Sequence, residues 1–264
     1  MKQSNTESKS TKVFQTVFLM VRLLAIYFLL YFGLIYGLSI SKKLAGKQQI
    51  ITVIAALFAG IITFLWLPKE QRKFAMKGKA GAAAGILFFA AGAAVLLNYL
   101  FTVIPWNDFL PKSLWYTPSD GIFDMPFALA MLGYGVIVPF AEEVCFRGVL
   151  FFGFRKMMKV PVAILLSALL FSLYHGSFVQ GIYAFIMGVL LGTVAHLTDS
   201  LLGSVLFHMA ANLIVTAYAY EPKLVDFLKS APGLALCALA IIAGGILFAL
   251  SVSKSKKKEI SDQP

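Results

Sequence analysis

The chain has 264 residues, of which 59% are hydrophobic and 13% charged, with a formal net charge of +11. A water-soluble domain of this length carries about twice that share of charge, so water is excluded as the solvent for most of the surface. The positive balance does not point to nucleic acid, because Lys and Arg stand in short groups between and beyond long apolar runs, as in cytoplasmic membrane loops.

The first apolar run, about 13–40, follows Lys9 and Lys12. It is longer than a signal-peptide core and lacks a small-residue cleavage site, so it reads as a retained membrane helix. Arg22 is near enough to its start to snorkel. Further spans are expected at about 50–67, 82–104, 125–156, 161–177, 179–197, 201–219 and 232–252. The fold class is therefore all-α: a polytopic integral membrane bundle of about eight transmembrane helices. It forms a single membrane domain over 1–264, with a cytoplasmic tail at 1–12 and a basic cytoplasmic tail at 253–264. Pro139 lies inside the long fourth span and is expected to kink it. Gly81 with Gly85, and Gly188 with Gly192, are G-x-x-x-G pairs that let helices approach closely in lipid. Cys145 and Cys237 do not form a C-x-x-C pair, so neither a disulfide framework nor a zinc knuckle is indicated.

Orientation follows from the basic groups. Lys69, Arg72, Lys73, Lys77 and Lys79 follow the second span, and Arg155, Lys156 and Lys159 follow the fourth. Lys254, Lys256, Lys257 and Lys258 follow the last, where they can meet anionic headgroups. An even number of spans puts all of these on one side with the N-terminus, and that side is read as cytoplasmic in a multi-pass cell-membrane protein. The 105–124 segment falls opposite, with Asp108, Asp120 and Asp124 against Lys112, and with Trp106, Trp115 and Tyr116 suited to an interfacial belt. Lys42, Lys43 and Lys47 run against the trend.

Charged and polar side chains at membrane depth are costly and point to function. Glu142, Glu143 and Arg147 lie in the fourth span, His175 in the fifth, and His208 and Asn212 in the seventh. Glu143 and Arg147 are four apart and can pair on one helix face, as can His208 and Asn212. At about 1.5 Å per residue, Glu142 and His175 each lie about 21 Å from the cytoplasmic loop between their helices. Asn212 lies about 16 Å deep and His208 about 10 Å deep. His196, at the end of the sixth span, falls at the boundary. Four polar groups from three helices are thus expected to converge. A carboxylate beside an imidazole can take a proton from water, and the imidazole can carry one to a leaving amine. A second imidazole and an amide can donate to an oxyanion. The same Glu, His, His and Asn also suit a zinc ion, so unaided and metal-assisted activation of water are both open.

Glu142-Glu143-Val144-Cys145-Phe146-Arg147 resembles an E-E-x-x-x-R motif, Phe171 to His175 an F-x-x-x-H motif, and His208 to Asn212 an H-x-x-x-N motif. Together and in this order they resemble the CPBP family, which includes the CAAX prenyl endopeptidases and bacteriocin-processing or immunity membrane proteins. The resemblance covers about 125–219 and makes that stretch the catalytic core, with the first three spans and the last contributing only general character. It implies Glu142 as the base that activates water and His175 as its proton-handling partner. It implies His208 and Asn212 as oxyanion stabilisers, with Glu143 and Arg147 supporting the first glutamate. The activity implied is an intramembrane endopeptidase acting on a membrane-associated or lipidated peptide, with water as the nucleophile and the bilayer as its surroundings. Two rivals stand beside it: a non-catalytic immunity or sensor-kinase-regulating protein of the same fold, and a proton-coupled transporter, for which no inverted repeat is seen. Ala195 to Ser200 departs from the basic, Thr-Gly-Ser-like turn of many family members, which loosens any expectation about substrate contacts there.

Overall fold

A computed structural model describes residues 8–44, 46–115 and 125–261. Tyr116, Asp120, Asp124 and most of the N-terminal tail lie outside them, as does the side chain of Trp115. The described residues form helices and connecting turns, without a strand: α1 (Lys9–Ser39), α2 (Gln48–Trp66), α3 (Lys79–Val103), α4 (Phe127–Phe154), α5 (Val160–Leu173), α6 (Phe178–Thr198), α7 (Leu201–Tyr220), α8 (Pro222–Lys229) and α9 (Ala231–Ser261). Seven of these are long and apolar enough to cross a membrane, and the chain is a multi-pass membrane protein. The element expected at 161–177 is shorter, because α5 stops at Leu173. Its 14 residues rise only about 21 Å. The stop has a local cause. Gly176 disfavours helix, and Ser177 caps the next one by accepting from the Gln180 amide at 3.2 Å. His175 therefore sits in the turn between α5 and α6 rather than within a span.

The central element is α4. Every residue from Ala141 to Phe154 is buried, whereas α1 and α9 present faces of large apolar side chains to lipid, among them Phe14, Phe18, Leu29 and Phe32 on α1 and Leu239, Ile242 and Ile246 on α9. Pro139 does not simply kink α4. Two π-helical stretches, Gly133–Ile137 and Val144–Phe151, flank the regular turn Val138–Glu143 that contains it. The Val138 amide reaches back five residues to the Gly133 carbonyl, and the Phe152 amide reaches Arg147 in the same way. A proline has no N–H to give its helix and its ring crowds the preceding turn, which a wider turn relieves.

Both glycine pairs lie at helix seams. A Cβ on Gly85 would come within 2.6 Å of the Phe248 amide nitrogen on α9, and one on Gly244 within 2.7 Å of the Gly85 carbonyl oxygen. Gly188 meets the Ala168 backbone of α5 in the same way, at 3.0 Å. Between lipid-solvated helices, such close backbone contact supplies much of the association.

One end of the bundle is laced together. Asp199, at the α6–α7 turn, pairs with Lys73 and with Arg155, each at 2.7 Å. The Leu201 amide and the Ser200 hydroxyl donate to the Lys73 carbonyl, and the Lys77 amide donates to that of Thr198. The basic segments 67–78 and 155–159 thus gather at this end. So does the start of α1, where Arg22 stacks 6.0 Å from Trp66, and the lysine-bearing end of α9, where Ser251 meets Gly78 and Gly81. The α1–α2 turn and the segment after α3 lie at the other end. Partial burial pushes the Asp199 carboxyl up, but hydrogen bonds from Lys73 and Arg155 outweigh it and leave the group below its ordinary value.

Two outcomes follow. Gly85→Leu is expected to lower stability in detergent by about 1–3 kcal/mol, read by thermal unfolding, while Gly33→Leu, which meets open space, leaves it unchanged. Because the Asp199 carboxyl is lowered by folding, its contribution is complete above about pH 4 and disappears as pH falls through the lowered value. The stability difference between wild type and Asp199→Asn should therefore vanish in acid and be level from pH 5 to 8.

Candidate active site

The regular turn of α4 between its two π stretches carries Glu142 and Glu143, and the following wide turns carry Arg147. Adjacent helix positions point about 100° apart, so the two glutamates face different neighbours. Glu143 and Arg147 are wholly buried, and Arg147 Nη1 donates to Glu143 Oε1 at 2.6 Å. Arg147 Nη2 donates to the Gly188 carbonyl at 3.1 Å, and the guanidinium lies 4.6 Å from the Phe171 ring centroid. A cation so deep in the protein is held by an anion, a carbonyl and an aromatic face together.

Glu143 Oε1 has a second partner. His208 Nδ1 lies 2.8 Å from it. A carboxylate oxygen bound to an arginine accepts, so Nδ1 carries the hydrogen and the ring is turned. His208 Nε2 consequently faces Glu142, 3.6 Å from its Oε2, with only 7% and 11% of the two side chains exposed. The sequence reading assigns the Glu143–Arg147 pair to support Glu142; the contact it makes is with His208.

His175 is held differently. Its Nδ1 lies 2.8 Å from the Phe171 carbonyl, which can only accept, so Nδ1 bears the hydrogen and Nε2 is the free lone pair of the neutral ring. The Phe171 ring stands edge-on to both imidazoles, with centroids 4.6 Å from His175 and 5.7 Å from His208. Asn212, one turn beyond His208, donates from Nδ2 to the Tyr134 carbonyl at 3.1 Å, which anchors the amide while leaving its second N–H. The structure thus gathers Glu142, His208, Glu143 and Arg147 in direct sequence and brings His175 alongside through Phe171. His196 stays apart, in the last turn of α6 at the basic end.

Residues 124–214 match the family described as type II CAAX prenyl endopeptidase Rce1-like. This segment is a CPBP-family domain. It contains all six side chains of the site and has the fold of a CAAX-type intramembrane protease. Neither the curated proteins nor the solved structures compared with the chain gave a match.

The CPBP segment does not supply the whole surround. Tyr27 and Tyr31 of α1 reach the site, Tyr27 fully buried with a hydroxyl that has no hydrogen-bond partner. Tyr31 stacks on Tyr27 at 6.1 Å and lies 6.3 Å from Tyr174, whose ring packs 5.5 Å from Phe146. α2 places Gly60 directly on Ala141. α1 thus closes one wall of the site from outside the matched segment. The signal was present, since two hydroxyls four residues apart at membrane depth resemble the His208–Asn212 pair. Among the described residues no three His, Cys, Asp or Glu side chains are grouped as for a metal ion.

Removing one partner of a buried ion pair strands the other charge. Arg147→Met is expected to cost about 3–5 kcal/mol in thermal unfolding, and the double variant Glu143→Leu/Arg147→Met to regain a large part of it. Equal losses in the two would mean that the pair is not the buried charge contact described.

Proposed function

We propose that the chain is an intramembrane endopeptidase that hydrolyses a peptide bond of a membrane-associated or lipidated peptide with water as the nucleophile. The observation that carries this reading is the relay Arg147–Glu143–His208, which presents His208 Nε2 to Glu142 Oε2 inside the membrane-spanning bundle. Arg147 balances one of two neighbouring carboxylates. The mechanism uses His208 on both sides, Nδ1 held by Glu143 and Nε2 turned toward Glu142 and the reacting carbonyl.

That arrangement suits amide hydrolysis. Glu142 takes a proton as the water oxygen bonds to the carbonyl carbon. The resulting oxyanion accepts from His208 Nε2–H and from the free N–H of Asn212. The Glu142 proton passes to the departing nitrogen, with His175 Nε2 as the carrier, and the C–N bond breaks as the oxyanion closes to a carbonyl, giving a carboxylic acid, which then ionises, and an amine. Preset donors in a water-poor pocket act without reorganising, the condition under which such groups have their largest effect.

The test is cleavage of membrane peptides by the purified protein in liposomes, with fragments identified by mass spectrometry. Glu142→Gln, nearly isosteric, should keep the fold and lose activity by about 10²–10⁴-fold. Asn212→Ala should lose less, about 10²–10³-fold. A folded Glu142→Gln that cuts as fast as wild type overturns the proposal. A cellular phenotype that survives this substitution at normal abundance would favour the non-catalytic reading instead.

A further inference from the structure

The two ends of the bundle are not equivalent around the site. At the basic end the site is sealed. Glu143 and Arg147 are wholly inaccessible, and beneath them Phe146, Val149, Leu150, Phe151 and Phe152 are all buried, with the Lys73–Asp199–Arg155 clasp below those. Glu142 lies 12 residues before the end of α4, or about 18 Å of helix, and His208 seven residues after the start of α7, or about 10 Å. Anything coming from the basic end would have to cross that packed layer.

Accessibility rises in the opposite direction. Beyond the wholly buried Glu143 and Arg147 come Glu142 and His208, at 8% and 6%. Beyond them His175, Tyr174, Asn212 and Tyr134 are only half-buried. Gly176, next to His175, is exposed, and a Cβ there would meet nothing within 4 Å. On α4 the unbroken burial of 141–154 gives way to mixed exposure over 131–140. On α7 the last buried residue is Ala211. The site is therefore a well with its floor toward the basic loops and its rim at the α5–α6 turn.

The charge pattern orients the well. The floor side carries Lys69, Arg72, Lys73, Lys77, Lys79, Arg155, Lys156, Lys159 and the lysines that end α9, while the rim side carries Lys42, Lys43, Lys47, Lys112, Lys223 and Lys229 with Asp108, Glu221 and Asp226. The richer side is held in the cytoplasm during insertion.

We infer that the well opens away from the cytoplasm, so that the substrate is a peptide segment presented at the extracytoplasmic face of the membrane and not a cytosolic tail. The substrate class rests on the endopeptidase reading; the direction of opening does not.

Single cysteines at Lys43, Gly176 and Lys156 distinguish the two. The native Cys145 and Cys237 are buried and set the background. In intact cells a membrane-impermeant maleimide should label Lys43→Cys and Gly176→Cys, and should label Lys156→Cys only after permeabilisation. Labelling of Gly176→Cys only after permeabilisation, whichever side labels Lys156→Cys, overturns the inference, and so does a Gly176→Cys that reacts from neither side. In parallel, paired reporter peptides carrying one cleavable segment outside or inside the membrane should be cut at least tenfold faster when the segment is outside. Faster cutting of the inside reporter contradicts the substrate assignment. Cutting of neither reporter alongside the expected labelling means that the endopeptidase reading has failed while the direction of opening stands.

Discussion

A guanidinium buried to zero exposure at membrane depth can be accommodated only if its charge is answered on the spot. Glu143 answers it, and one carboxylate oxygen then serves two neighbours, Arg147 and His208. That shared oxygen determines the tautomer and rotation of the imidazole, and through them which ring nitrogen meets Glu142. The surrounding structure can be read as the support this arrangement requires: the Gly188 carbonyl accepts from the second guanidinium nitrogen, and Phe171 covers the cationic face while spacing the two histidines.

The helices that deliver these groups are held by two kinds of seam. Glycine-lined contacts bring α3 to α9 and α5 to α6 at backbone distance, which a bilayer favours because apolar side chains gain little by leaving lipid. Polar lacing at the basic end ties the 67–78 segment to the turns before α5 and α7. With that end closed, packing loosens toward the rim, where the chain needs room for a substrate. The π stretches of α4 lie on either side of the two glutamates, so the helix that contains the site is also the least regular one, as is common where a helix bears function.

Much of this is legible in the sequence. Apolar runs of about 20 residues announce the membrane helices because a bilayer permits few other backbones. Glu142, Glu143, Arg147, His208 and Asn212 stand out because charge and amide groups are expensive there. What was not legible depended on tertiary geometry. The end of α5 at Leu173, which moves His175 into a turn, is decided by Gly176 and the Ser177 cap, weak signals inside an apolar stretch. The link from Glu143 to His208 joins positions 65 residues apart and has no local pattern. Tyr27 and Tyr31 take a place at the site only once α1 is seen against Tyr174.

The most direct measurement is the ¹⁵N resonance pattern of His208 in labelled protein in lipid, in wild type and in Glu143→Gln. The expected result is a protonated, strongly hydrogen-bonded Nδ1 in wild type whose shift moves on loss of the Glu143 charge, with the Nε2 signal sensitive to Glu142→Gln. An unprotonated Nδ1, or signals indifferent to both substitutions, would contradict the relay on which the site is built.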